Sequence, residues 1–187
     1  SMAVKECRNL HSSRPRRGDH TEEYQSLYHE FYAEIVLSVI VYVEYPRMEM
    51  FDFAADARDQ GGEPGMNHKG LMTFDEVKKD SFYIYKAYWS KEPFVHLCGS
   101  RYVDRTEAVT TVKVYSNQTK VALYANGKLL EEKTGNKVFE FRVPLNGEVR
   151  LEAVSGQAKD TSTIRRVSQP NPDYKLKKSK GKSQNWV

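Results

Sequence analysis

Between residues 93 and 166 the chain divides into short runs, FVHLC, TVKVYSN, KVALYAN, KLLEEK, KVFEFRVPL, EVRLEAVSG and TSTIRRV, separated by turn residues. This rhythm constrains the fold more than any other feature. Val112 and Val114, Val121 and Leu123, and Val149, Leu151 and Ala153 recur every second residue, the spacing that lines one face of a half-buried strand. Asn126-Gly127 joins VALYA to KLLEE, and both residue types accept the left-handed backbone that a two-residue hairpin turn requires. Seven short strands with frequent turns predict an antiparallel β-sandwich of immunoglobulin type over residues 93–167.

Residues 19–92 read differently. Asp19 or Thr21 can cap a helix, Glu22 and Glu23 suit its first turn, and Tyr24, Leu27, Tyr28, Phe31 and Ile35 follow at helical spacing. The spacing predicts a helix that turns this aromatic stripe toward a core. The β-branched run VLSVIVYV then predicts a strand buried on both faces. FDFAADARDQGGEPGMNHKG, residues 51–70, predicts a polar surface loop that carries a site, because a buried loop could not satisfy its backbone groups. GLMTFD reads as extended, and EVKKDSFYIYKAYWS as an amphipathic helix with Phe82, Tyr85 and Trp89 on one side. A strand apolar on both faces needs a layer on each, and some 70 residues cannot supply both. The segment therefore reads as the last part of a larger α/β domain.

Composition excludes several functions. With 39% hydrophobic and 29% charged residues the sequence is of a globular kind, and no apolar run reaches the length of a membrane-spanning helix. The net charge of +4 comes largely from RPRR and KLKKSKGK near the two ends, so the body shows no basic footprint for nucleic acid. Cys7 and Cys98 are too few for a disulfide framework and are expected to be unpaired thiols. Residues 1–18 are expected to be a disordered or tag-containing N-terminus without a secretory h-region, and 168–187 an extended basic tail. Cellular compartment is not legible.

EEYQSLYHEFY, MFDFAADARDQGGEPGMNHKGLMTFD, KKDSFYIYKAYWS, VKVYSN and VALYANGK closely resemble, in order and spacing, the C-terminal part of bacterial glycoside hydrolase family 2 enzymes of β-galactosidase type. The resemblance runs from about residue 14 to the end. It implies that residues 19–92 are the C-terminal remnant of a TIM (β/α)8 barrel, with its eighth strand and last helices. It implies that 93–167 are the immunoglobulin-like sandwich that follows. Residues 51–70 would then lie at the C-terminal face, where such barrels keep their active sites.

The implied chemistry is retaining hydrolysis by two carboxylates about 5 Å apart. In the family these lie on the fourth and seventh strands, in Asn-Glu and Glu-Tyr-Gly motifs, and neither motif occurs here. The resemblance thus gives this chain no catalytic residue, and the chain alone is expected to be inactive. Residues 36–49 keep the family's length but lose its wording, as a shifted reading frame or a degraded gene copy would produce. Met48 stands where the family has a tryptophan that lines the sugar pocket.

The substrate-binding candidates are Asn67, Lys69 and Met48. Asn offers a donor and an acceptor, and Lys a compact cation with three donors, suited to sugar hydroxyls or a sugar carboxylate. In family relatives that act on uronic acids an Asn-x-Lys at this loop contacts the carboxylate. The resemblance therefore leaves open a portion of a β-galactosidase, a portion of a β-glucuronidase, or a non-catalytic immunoglobulin-like accessory module. The implied partners are a β-galactoside or related sugar, and either the N-terminal part of a barrel or a second copy of the chain.

No cofactor or metal is expected. Asp52, Asp56, Asp59 and Glu63 lack the alternation of a calcium loop and read as surface or loop-capping carboxylates. His20, His29, His68 and His96 lack the spacing of a zinc site.

Overall fold

The computed structural model describes residues 22–38, 49–60 and 63–169. Helix α1 (Glu22–Ser38) is followed by strands β1 (Phe53–Gln60) and β2 (Glu63–Asn67), helix α2 (Asp80–Trp89) and the strands of a sandwich. These are β3 (Val95–Leu97), β4 (Asp104–Arg105), β5 (Val109–Ser116), β6 (Lys120–Ala125), β7 (Lys128–Thr134), β8 (Lys137–Pro144), β9 (Glu148–Ser155) and β10 (Ala158–Arg166).

The expected sandwich is present, with the short β4 added to the seven runs. One sheet has the order β3-β5-β8 and the other β4-β10-β9-β6-β7. Apart from the parallel β4–β10 pair, neighbours are antiparallel. With β5 and β8 in one sheet and β6, β9 and β10 in the other, the arrangement corresponds to strands B and E facing C, F and G of an immunoglobulin-type sandwich. The predicted alternation holds: Val112, Val114, Phe139, Phe141 and Val143 from one sheet meet Val121, Leu123, Val149, Leu151, Ala153 and Ile164 from the other. Each large side chain buried this way contributes roughly 1.5–3 kcal/mol. Asn126 and Gly127 have φ of 51° and 78°, the doubly left-handed turn that fits the twist of β6 and β7.

Before α2 the described residues depart from expectation in three respects. The expected strand 36–43 begins inside α1, which continues through Ser38, and residues 39–43 lie outside the described residues. The apolar stripe of α1 does not face a core: Leu27 and Phe31 are 51% and 62% exposed, whereas Glu22, Gln25, Ser26 and Ala33 are buried. The polar face is turned inward because its partners are polar, namely the N-terminus of α2 and the 67–70 turn. Finally, within the expected loop 51–70 the described residues 53–60 and 63–67 are paired antiparallel as β1 and β2, with an irregularity between Ala54 and Asp59.

Helix α2 starts at Asp80, later than its sequence pattern implies. Thr73 ends the preceding segment by accepting the Val77 N–H at its hydroxyl (2.9 Å) and donating to Asp75 (2.5 Å). The face that α2 buries carries Ser81, Ile84, Tyr85 and Ala87. Phe82, Tyr85 and Trp89 do share one side, which lines, with Met50, Leu71 and Lys86, an apolar cavity of about 390 Å³.

A second apolar cluster, Ala33, Leu71, Ile84, Tyr85 and Tyr115, packs α1 and α2 on the outer face of β5. The link from α2 to the sandwich is fastened by Asn117, which accepts from Phe94 N (3.1 Å) and donates to the carbonyls of Ser90 (2.9 Å) and Glu92 (2.7 Å). That is the structural use of the VKVYSN motif.

Candidate functional site

The turn Asn67-His68-Lys69-Gly70 follows β2, and three elements hold it from below. Asp52, just before β1, accepts from Gly70 N (3.0 Å) and from Lys79 Nζ (2.6 Å) at the same oxygen, while its other oxygen lies 3.4 Å from His68 Nδ1. Lys79 Nζ also donates to the His68 carbonyl (3.0 Å). From α1, Gln25 Nε2 donates to the carbonyls of Lys69 (3.1 Å) and Gly70 (3.0 Å). Gly70 is required sterically: a Cβ there would lie 2.2 Å from the Phe51 carbonyl carbon. The backbone of residues 49–52 runs alongside 71–72 at that point, with Met72 N donating to Met50 O.

The candidates take different places in this turn. Asn67 is buried, and its side-chain oxygen accepts the Lys69 N–H at 3.1 Å, an Asx-type closure that shapes the turn. Lys69 is exposed above it. His68 is buried beneath. The structure thus brings Asn67 and Lys69 together on one fixed turn. Met48 lies outside the described residues. Asp52, read from sequence as a surface or loop-capping carboxylate, does cap the turn but is buried, because it neutralises Lys79 where water cannot.

Around the base of α2 the charges are similarly committed. Glu22 of α1 accepts from Asp80 N at 2.7 Å, capping α2 from a distant part of the chain. Arg101 pairs with the same Glu22 oxygen and donates to Lys78 O at 2.7 Å. Burial, joined by repulsion from Asp80, holds the Glu22 carboxyl above its usual range despite Arg101. Burial pushes the Lys79 ammonium down, opposed by Asp52. His29, which shares a 2.8 Å hydrogen bond with Tyr85 Oη, is lowered to about 4 by burial and by the nearby Lys79 charge. Glu30 receives hydrogen bonds from Lys113 (2.8 Å) and Tyr115, tying α1 to β5.

His96, seen in the sequence only as a scattered histidine, is the centre of another cluster. Its Nε2 lies 2.9 Å from Asp80 Oδ1 and its Nδ1 3.5 Å from Asp160 Oδ2, and its ring stacks on Tyr83 with centroids 3.6 Å apart. Burial opposes its charge, but the hydrogen bonds to Asp160 and Asp80 outweigh it and raise its pKa. Neither this cluster nor the Asp52–Lys79 pair was found from sequence. Their ionic partners are sixteen or more residues apart on different elements, and no motif spacing marks them.

No protein-family model matches the chain. The chain is 39% identical over 111 residues to a β-glucuronidase of Bacteroides fragilis, a match covering 58% of this chain and 16% of that protein. Its fold is similar to that of a crystal structure of an FMN-binding β-glucuronidase from Facaelibacterium prausnitzii L2-6, with a TM-score of 0.80 and 44% identity. That similarity covers 85% of this chain and 25% of the other. It is similar, too, to a Bacteroides fragilis structure provisionally named a β-galactosidase, at TM-score 0.73 and 34% identity over 82% of this chain and 24% of the other. The chain therefore spans between about a sixth and a quarter of the length of these relatives.

Proposed function

We propose that this chain is the C-terminal portion of a retaining glycoside hydrolase of family 2, in which residues 19–92 complete a (β/α)8 barrel and Lys69, on the turn that Asn67 closes, reaches into the sugar pocket. The observation that carries this reading is the turn itself. An exposed ammonium stands on a backbone fixed by Asp52, Lys79, Gln25 and Asn67, and such preorganisation is what a recognition contact requires. The outward stripe of Leu27, Tyr28 and Phe31 supports the barrel part of the reading, since an apolar helix face of that width normally packs on a neighbouring element.

Of the sugar classes, a β-glucuronide fits better than the β-galactoside expected first. A lysine held over a polar turn pairs with a carboxylate more strongly than with a neutral hydroxyl, and β-glucuronidase is the name borne by two of the three relatives above. Flavin binding stays with the relative that carries it in its name. The catalytic acid/base and nucleophile would come from sequence outside this chain, so Lys69 here recognises and does not catalyse.

Two assays on the purified chain test the reading. Nitrophenyl β-glucuronide and β-galactoside should show no turnover above a mock preparation. In amide NMR spectra glucuronate should shift residues 67–70 while galactose at equal concentration does not, and Lys69→Met should abolish the shift. Turnover lost on substitution of a carboxylate in this chain would overturn the assignment of catalysis elsewhere. Equal response to both sugars, or none, would overturn the carboxylate contact.

A further inference from the structure

Strand β3 has two faces with different destinations. Val95 and Leu97 enter the sandwich core, so His96, and Cys98 just beyond the strand, project to the opposite side, toward the first residue of α2, Asp80. Ligand atoms of Asp80, His96 and Cys98 there lie within 4.8 Å of one another. The set comprises one hard oxygen, one imidazole nitrogen and one sulfur. Three ligands around a tetrahedral zinc-class ion, with metal distances of about 2.0–2.3 Å, sit within a few ångströms of each other. Soft thiolate and imidazole select zinc or cobalt over magnesium or calcium.

We propose that Asp80, His96 and Cys98 form a binding site for a single zinc-class divalent cation at the joint between α2 and the sandwich. Asp160 supplies the support such a site needs. It lies 3.5 Å from His96 Nδ1 and is itself fixed by the N–H groups of Leu97 (2.8 Å) and Thr161 (2.9 Å). This leaves Nε2 directed at Asp80 Oδ1, 2.9 Å away, as in a carboxylate–histidine–metal arrangement. Stacking on Tyr83 fixes the plane of the ring, and Gly99 N holds the other Asp80 oxygen at 2.7 Å. Binding places the cation where the Nε2–H now bonds to Asp80. That proton and the Cys98 thiol proton leave to solvent, the metal forms bonds to oxygen, nitrogen and sulfur, and a fourth position remains open. No redox change is involved. The cation would tie α2, and with it the 67–70 turn, to β3.

The test uses the full chain without an affinity tag and with Cys7→Ser, so that Cys98 is the sole thiol. Titration with cobalt(II) should saturate at one equivalent and produce a thiolate-to-cobalt charge-transfer absorption in the near ultraviolet, and zinc should displace the cobalt and raise the melting temperature. Cys98→Ser should abolish the charge-transfer band, and His96→Gln should weaken binding at least tenfold. Asp160→Asn, which alters a positioning residue, should weaken it by about 10- to 100-fold while keeping the band. Absence of the band in the Cys7→Ser chain, or cobalt affinity in both Cys98→Ser and His96→Gln equal to that of the Cys7→Ser parent, overturns the site. Should the variants fold poorly, the cobalt spectrum of the Cys7→Ser chain decides alone.

Discussion

Lys79 Nζ lies 2.6 Å from Asp52 Oδ1 in a pair whose side chains are 3% and 4% exposed. It joins the segment before β1 to the residue that caps α2, and through His68 O and Gly70 N it fixes the turn between them. A buried pair of this kind contributes less to net stability than to specifying one geometry, because desolvation cancels much of the attraction.

Removing one partner is another matter. Asp52→Asn or Lys79→Met leaves a buried charge uncompensated and should cost about 3–5 kcal/mol in urea denaturation. The exposed Lys120–Glu132 pair on β6 and β7, 2.7 Å apart, should cost less than about 1 kcal/mol when broken. A small effect at Lys79 would mean that the pair is not formed.

Two glycines separate steric from conformational need. Gly70→Ala must displace the Phe51 backbone, and overpacking of that order costs about 1–3 kcal/mol or more. It should also shift the amide resonances of residues 67–70. Gly127→Ala meets nothing within 4 Å but keeps a φ of 78°, so only left-handed strain applies, about 1–2 kcal/mol, with no change at the turn.

His29 should make the fold acid-sensitive. Its folded pKa of about 4 lies below the ordinary 6.5. Above pH 6.5 both states hold it neutral and it contributes no pH dependence. Between 6.5 and 4 the unfolded chain takes up a proton that the folded chain refuses, so stability falls by up to about 1.4 kcal/mol per pH unit, and the loss levels off below 4. Melting temperatures of wild type and His29→Gln at pH 7 and 5 check this. The wild type should lose more between the two than the variant does.

The outward stripe of α1 should be nearly silent for the fold of the chain alone. Phe31→Ser, at a 62% exposed position, should change stability by no more than about 0.5 kcal/mol, and it should reduce self-association in light scattering by shrinking the apolar patch. Val114→Ala, fully buried in the sandwich, should cost on the order of 1–3 kcal/mol. A large loss at Phe31 would show that the stripe is already packed.

The sandwich was legible in the sequence because each of its strands reports its buried face locally: Val112 and Val114, or Val121 and Leu123, alternate whatever lies opposite, and Asn126-Gly127 dictates its own turn. Sequence also placed Asn67 and Lys69 together, since two residues apart in one turn is a local relation. Only the tertiary structure decided the rest. The stripe of α1 reads as a core face by periodicity, yet which face is buried depends on what packs there, and here Glu22 and Gln25 find the α2 N-terminus and the turn. Asp52 and Lys79, 27 residues apart, carry no mark of their pairing, and neither do Asp80, His96 and Asp160. Burial of charge depends on a partner that the fold brings from elsewhere, and hydrophobic periodicity has no means of encoding it.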